Sequence, residues 1–199
     1  MREPVILLAS ASPRRSELLR QVGIAHEVRP VHVDETVQAG EAPSAYVLRL
    51  AEAKAGALWR QLALHERRPV LAADTTVALE GEIFGKPGGL AEAQAMLGRL
   101  SGRTHEVHTA VALVHEGGAA ARVNRSSVTF RELTPAEIAW YWRTGEPADK
   151  AGGYAVQGRA AAFISHIAGS YSGIMGLPLY ETWGLLAPVL GLTAGGRPA

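Results

Sequence analysis

The sequence predicts an α/β fold on a mixed sheet, and three observations carry that expectation. Short buried apolar runs alternate with segments of helical period, so strand and helix are taken in turn. A long central stretch reads as two paired strands, which a purely parallel sheet would not contain. Finally, 47% of the 199 residues are hydrophobic and 20% charged, an ordinary balance for a chain that can bury a core.

The elements follow in order. Residues 5–9 are an apolar run expected to form a buried strand, and residues 10–15 a polar turn. A short helix over 16–21 comes next, stopped by Gly23. Residues 25–33 are expected to be extended, ahead of a loop rich in acid and glycine. A long helix is expected over 44–66, then a buried strand over 70–73, a hairpin around 80–82 and a turn at 85–89. Residues 90–100 have helical period. Residues 105–115 and 122–133 read as paired strands around Gly117 and Gly118. Thr134, Pro135 and Glu137 start a helix with an N-cap, a proline at the first position and a capping-box acid, and it should end near Gly145. Small residues dominate up to Gly176, with strand-like stretches at 153–157 and 162–167. A last helix is expected over 178–190, before a tail of about eight residues expected to fray. No repeat, low-complexity segment or linker divides the chain, so residues 1–199 are expected to form one domain.

Composition narrows the function. There is no cysteine, so neither disulfides nor thiolate-zinc sites can form. A net charge of +1 fits neither a nucleic-acid sheath nor a membrane-surface protein, though a local cluster can still bind a small anion. The run at 5–9 is too short for the core of a signal peptide, and no apolar stretch reaches membrane length. The expectation is a soluble cytoplasmic protein with no nucleic-acid or membrane partner. One bias is sharper. Of 20 basic residues only Lys54, Lys86 and Lys150 are lysine, and of 19 acidic residues only Asp34, Asp74 and Asp149 are aspartate. Lysine differs from arginine as a compact point charge and aspartate from glutamate in reach, so retention marks particular chemistry unless it is chance.

Five groups of residues can carry chemistry. Ser10, Ser12, Arg14 and Arg15 lie between a buried strand and a helix, where hydroxyls, guanidinium groups and free backbone N–H groups converge as in an anion site. Plain capping by Ser12, with solvated arginines, is the alternative. Lys54 falls at the centre of the face made by Val47, Leu50, Ala51 and Leu58, so it must snorkel out or meet a negative partner. Asp74 directly follows the run at 70–73, the strand-end placement where α/β enzymes keep catalytic acids and metal ligands. A turn aspartate is the alternative, against which Thr75, Thr76 and Val77 continue the β-branched pattern. Lys86 stands in a stiff Gly-Lys-Pro turn, where a loop lysine is also ordinary solvated surface. Asp149, Lys150, Tyr154 and Gln157 stand among small residues, and Gly152 and Gly153 would let the backbone approach a ligand. The histidines lack metal-ligand spacing, and His105 and His108, three apart in a strand, should face opposite ways.

These pieces, in this order, resemble the Maf family, once named for septum-formation inhibition. The matching stretches are LASASPRRSELLRQVGI, the Asp34-Glu35 loop, RLAEAKA, AADTTVAL, FGKP, SGRTHEVHTAVAL, GEPADKAGGYAVQG and GIMGLPLYET, which together span nearly the whole chain. Every lysine and every aspartate falls inside them. The resemblance implies a long twisted sheet with flanking helices, forming two lobes around a cleft as in inosine-triphosphate pyrophosphatases. It implies hydrolysis of a nucleoside triphosphate to the monophosphate and pyrophosphate, with a divalent cation, Mg²⁺ or Mn²⁺, and Asp74 as the catalytic proton acceptor. Arg14, Thr75 and Gln157 fall at positions that separate substrate classes in the family and look like its dTTP/UTP branch.

On this resemblance Ser10, Ser12, Arg14, Arg15, Lys54, Thr75, Lys86, Lys150 and Gln157 bind the nucleotide, while Glu35 and Asp74 contact the metal. Whether Asp74 is base or metal ligand stays open at this point, and a homodimer is compatible with the chain. Departures from the family pattern are Ala11, Thr76 and the Ser172-Gly173 pair, the last expected to loosen the cleft rim. Two other functions remain in play: a house-cleaning pyrophosphatase for modified or purine nucleotides, and a nucleotide-sensing regulator of cell division without turnover.

Overall fold

The computed structural model describes residues 5–192 and builds them around one seven-stranded mixed sheet. Strand β1 (Ile6–Leu8) lies between β2 (His26–Val28) and β3 (Val70–Leu79), parallel to both. Parallel neighbours need a crossover. Helix α1 (Pro13–Gln21) provides it between β1 and β2, and α2 (Pro43–Gln61) between β2 and β3. From β3 onward the pairing is antiparallel. The short β4 (Glu82–Phe84) lies on one side of β3 and β5 (Thr104–His115) on the other, followed by β6 (Gly118–Phe130) and β7 (Ile164–Ala168). Glu80 and Gly81 join β3 to β4 with φ of 54° and 84°, the paired left-handed backbone of a two-residue hairpin.

Alternate residues of β3 point to opposite faces and so into different packing. Val70 and Ala72 are buried with Val47, Ala51, Ala55 and Leu58 of α2. Leu71 and Ala73 pack with Leu18 and Leu19 of α1 and with Leu185 and Leu186 of α6 (Leu179–Leu190). Further along, Val77 and Leu79 join a third cluster with α3 (Leu90–Leu100), α4 (Pro135–Arg143) and Phe130. Strand β3 is therefore common to both ends of the sheet. Its first half pairs with β1 at Val70 and Leu71, and its second half with β4 at residues 77–79. Along 73–76 that edge has no strand neighbour, and a cleft opens there.

The helix at 90–100, the hairpin at 80–82 and the capping box of α4 are as the sequence predicts, with Thr134 accepting from Glu137 N. His105 and His108 do face opposite ways, towards Tyr154 and towards Ser44 of α2. Elsewhere the expectations need correction. Helix α1 begins at Pro13, not at residue 16, because a proline suits the first turn, where no N–H is required. Helix α2 ends at Gln61, short of 66, since Leu62 turns back into the core as an extended cap. Strand β3 does not stop at residue 73. Its β-branched continuation pairs with β5 through residue 78, which puts Asp74 in mid-strand. Strand β6 starts at Gly118, ahead of 122. Residues 153–157 form no strand but an irregular segment after a 3-10 turn, and β7 begins only at Ile164.

The short helix α5 (Tyr171–Met175) was not foreseen at all. Nor is the rim loose at its Ser172-Gly173 pair. Ser172 Oγ accepts from Leu179 N at 3.0 Å, and a Cβ on Gly173 would lie 2.7 Å from Asn124 Oδ1. Among the described residues no helix is long and apolar enough to cross a membrane. The tail expected to fray lies almost entirely outside the described residues.

Gly152 links the fold to the cleft. It has φ +67°, and a Cβ there would stand 2.9 Å from Val77 Cβ, while its N–H donates to Gly85 O at 3.0 Å. Gly152→Ala should destabilise the protein by about 2 to 4 kcal/mol, combining left-handed strain with overpacking. Denaturant unfolding of the two proteins measures this, and a cost below about 0.5 kcal/mol would show that the turn is not constrained.

Candidate active site

The cleft has a volume of about 680 Å³ and lies between the start of α1, the middle of β3, the turn after β4 and the segment 149–157. It is lined by every residue that the sequence marked for a site: Ser10, Ser12, Arg14, Arg15, Glu35, Lys54, Asp74, Thr75, Lys86, Lys150 and Gln157.

At its floor, three charged groups form one unit. Lys54 neither snorkels nor points to solvent. Its Nζ lies 2.6 Å from Asp74 Oδ1 and 2.6 Å from Glu35 Oε1, with only 11% of the side chain exposed. The helical period explains the meeting, because Val47, Ala51, Ala55 and Leu58 press the same face of α2 onto β3. Asp74 is thus an ion-paired carboxylate within the strand. Its Oδ2 accepts no hydrogen bond from the described residues and is not sealed from the cleft. Tyr46 donates from its hydroxyl to Glu35 O at 3.0 Å and tethers the loop.

The two carboxylates are pushed in opposite directions. Burial raises the Asp74 carboxyl above its ordinary range, against the opposing charges of Lys54 and Arg15. Burial acts on Glu35 in the same sense, but the Lys54 hydrogen bond and the charges of Lys54, Lys86 and Arg15 prevail and lower it. The Tyr46 phenol is raised to about 12 by burial and by the nearby charges of Asp74 and Glu35.

Arg14 and Arg15 are consecutive and do different things. Arg15 turns inward: Nε donates to Gly176 O at 2.8 Å, Nη1 to Ser10 Oγ at 2.9 Å, and Nη2 is 3.4 Å from Thr75 Oγ1. It is a strut between α1, β3 and the end of α5. Arg14 faces the cleft, 3.8 Å from Asp149 Oδ2. Ser12 is the N-cap residue of α1 but its side chain makes no cap bond, while its N–H donates to Ser10 Oγ at 3.2 Å. Lys150 donates to Glu146 O at 3.0 Å and to the Asp149 carboxylate. Lys86 and Gln157 are exposed, and Lys86 makes no ion pair among the described residues.

Sequence reasoning missed Tyr46 and Thr109. Tyr46 lies about two helical turns before Lys54 on α2, a spacing that could have flagged it. Thr109 carries no local signal. It is the register partner of Thr75 on β5, its hydroxyl 3.0 Å from that of Thr75, and it donates to Gly173 O at 2.8 Å.

Among the described residues no group of three histidine, cysteine, aspartate or glutamate side chains forms a metal cage. Glu35 and Asp74 are a carboxylate pair, a donor set that suits Mg²⁺ when phosphate and water oxygens complete it.

A fold with a cleft at a shared strand edge, floored by a Lys-Glu-Asp unit and rimmed by cations, is that of an α/β protein built to hold a polyanion. The Maf-like protein family model matches residues 5–189, and the chain belongs to that family. A dTTP/UTP pyrophosphatase of Alkalilimnicola ehrlichii is 53% identical over 186 residues, covering 92% of each chain. One of Nitrosomonas europaea is 50% identical over 193 residues, covering 91% of this chain and 92% of its own. Among solved structures, a nucleoside-triphosphatase / dITP/XTP pyrophosphatase from Mycobacterium abscessus has a TM-score of 0.44 at 16% identity, over 93% of this chain and 95% of that one.

Tyr154 closes one wall of the cleft, with its hydroxyl 2.8 Å from His105 Nε2. Burial pushes His105 from the ordinary 6.5 down to about 4. The folded state thus favours neutral histidine. The resulting stability is full above pH 6.5 and is lost as pH falls towards 4. His105→Gln can keep the bond to Tyr154 and does not titrate. Between pH 7 and pH 4 the wild type should lose about 3 kcal/mol more stability than this variant. Denaturant unfolding at both pH values checks this, and equal losses would show that His105 does not titrate in this window.

Proposed function

We propose that this chain hydrolyses dTTP and UTP to the nucleoside monophosphate and pyrophosphate, with Asp74 as the base. The observation that carries the reading is the Asp74 carboxylate, mostly withdrawn from water, with one oxygen held by Lys54 and the other open to a cation-rimmed cleft. A triphosphate has about four negative charges, so holding it takes several cations and N–H donors converging in a partly dry site. Arg14, Lys86 and Lys150 suit the phosphates from the rim, and Lys54 suits them from the floor.

In the reaction a water oxygen attacks the α-phosphorus while its proton passes to Asp74. The bond from that phosphorus to the oxygen bridging the β-phosphate breaks, and pyrophosphate leaves with the electron pair. The opposed environments of the two carboxylates support a division of labour, with Asp74 as proton acceptor and Glu35 kept ionised for the cation. A divalent ion, Mg²⁺ or Mn²⁺, would supply charge neutralisation on the phosphates, held by Glu35 beside the Asp74 base. Gln157 suits the base, because its amide both donates and accepts and can match the O4 and N3–H edge shared by thymine and uracil. Relatives at about 50% identity that are named for these two nucleotides support the same choice.

The direct test is pyrophosphate release from a panel of nucleoside triphosphates with Mg²⁺ and with Mn²⁺. dTTP and UTP should be turned over efficiently, with CTP and purine triphosphates much poorer. A preference for purine derivatives would overturn the substrate assignment while leaving the reaction class. Asp74→Asn should reduce turnover by about two orders of magnitude or more with nucleotide binding kept. Near-normal turnover in this variant would remove Asp74 as the base. Lys54→Ala and Lys86→Ala should each cost about 1.5 to 3 kcal/mol of transition-state binding, read as a fall in kcat/KM. Unchanged kinetics in both would return Lys54 to a structural ion pair and Lys86 to solvated surface.

A further inference from the structure

Gln157 sits on an irregular segment between two 3-10 turns, and that segment is firmly held. Next to Gln157 itself the hold comes from Tyr141 and Glu146, neither of which lines the cleft. Tyr141, on α4, is fully buried, and its ring packs edge-on against Phe163 at 5.3 Å. Its hydroxyl donates to Glu146 Oε1 at 2.6 Å and accepts from Ala155 N at 3.1 Å. Glu146 Oε2 accepts from Arg159 N at 3.1 Å, and Oε1 is 3.5 Å from Ala160 N. The carboxylate also fills the space beside Gly158, where a Cβ would lie 2.3 Å from Oε1. These hydrogen bonds land at residues 155, 159 and 160, on both sides of Gln157. A second line runs from the Glu146 carbonyl, which accepts from Lys150 Nζ at 3.0 Å.

We propose that the Tyr141–Glu146 pair is the positioning element that sets the placement of Gln157 and thereby the discrimination between uracil and cytosine. The inference rests on the dTTP/UTP reading above. A free glutamine amide has no fixed preference between the two bases, since a flip exchanges its donor and acceptor. Selectivity therefore has to come from surroundings that admit one placement of the amide, and a fixed backbone beneath Gln157 is the precondition for that. The buried Tyr141 and the half-buried Glu146, gripping the peptide groups on either side of Gln157, provide that backbone. Lys54, Glu35 and Asp74 stand on other elements, so loosening this grip should alter recognition before it alters chemistry.

Steady-state kinetics on UTP and CTP with wild type, Tyr141→Phe and Glu146→Gln test the proposal. Tyr141→Phe keeps the ring in its packing and deletes only the hydroxyl that joins Glu146 to Ala155. Its KM for UTP should rise about fivefold with kcat within about twofold, and the UTP-to-CTP ratio of kcat/KM should fall about tenfold. Glu146→Gln, with altered pairing to Arg159 N, should shift the ratio in the same direction. A thermal melt identifies any variant that has simply unfolded, and the other variant then carries the same readout. An unchanged ratio in a folded variant overturns the proposal, including the case where kcat falls for both substrates, which marks a merely structural role. A wild type that does not prefer UTP to CTP overturns the substrate reading instead. The KM-against-kcat split of Tyr141→Phe on the preferred nucleotide then decides whether the pair positions the base-reading residue.

Discussion

An aspartate in the middle of a strand, largely removed from water, raises the free energy of the fold unless a cation meets it. Lys54 meets Asp74, and much of the molecule is arranged around that contact. Because the lysine rises from the buried face of α2, the pair fixes how the helix lies across β3. Because the same ammonium also holds Glu35, it draws in a loop that has no regular structure of its own. Tyr46, from the same helix, ties that loop a second time. The arrangement is still not an easy one, since burial keeps the Asp74 carboxyl raised despite Lys54 and Arg15. Apolar side chains of similar volume would often be no less stable at such a place. Charge kept under those conditions points to chemistry, because stability alone does not call for it.

The opening that exposes Asp74 follows from how β3 is shared. Strand β1 is short and leaves after pairing with Leu71, while β4 joins only at Val77. A continuous neighbour would have covered the edge at 73–76 and sealed the carboxylate. On its other side β3 runs unbroken beside β5 from residue 70 to 78, and that long ladder keeps the exposed stretch straight. Thr109 opposite Thr75 shows how the ladder also carries function across strands, joining the cleft wall to the Gly173 carbonyl of α5.

Much of this was legible in the sequence where a local cause fixes the structure. Residues 90–100 form a helix because their apolar period puts Ala93, Leu97 and Leu100 on one buried face. Thr134, Pro135 and Glu137 satisfy a helix start among themselves and need nothing distant. The lysines and aspartates stand out because a biased composition left so few of them. Where a distant partner decides, the sequence misleads. Residues 153–157 look extended, but Ala155 N is taken by the Tyr141 hydroxyl and the chain turns at once, with Gly158 N donating to Ala155 O. Asp74 looks like the end of a strand until β5 is known to continue opposite it. Arg15 lines the cleft as expected, but its bonds to Gly176 and Thr75, both distant in the chain, have no local signal.

That last pair of arginines bears on how such a cleft works. Successive residues on a helix are turned by about 100°, so two neighbouring guanidinium groups set out in different directions, and here they take different partners. One is built into the wall, half-buried and committed to neutral oxygens. The other, also half-buried, faces the cleft with its nearest carboxylate at 3.8 Å and little to give up when a ligand arrives. The same division separates Lys54, held on the floor between two carboxylates, from Lys86, exposed at the rim. Rim cations can follow a flexible polyanion as it binds. Floor and wall cations are already oriented, so no reorganisation is required of them when charge develops on the reacting group, and that is where preorganisation lowers a barrier most.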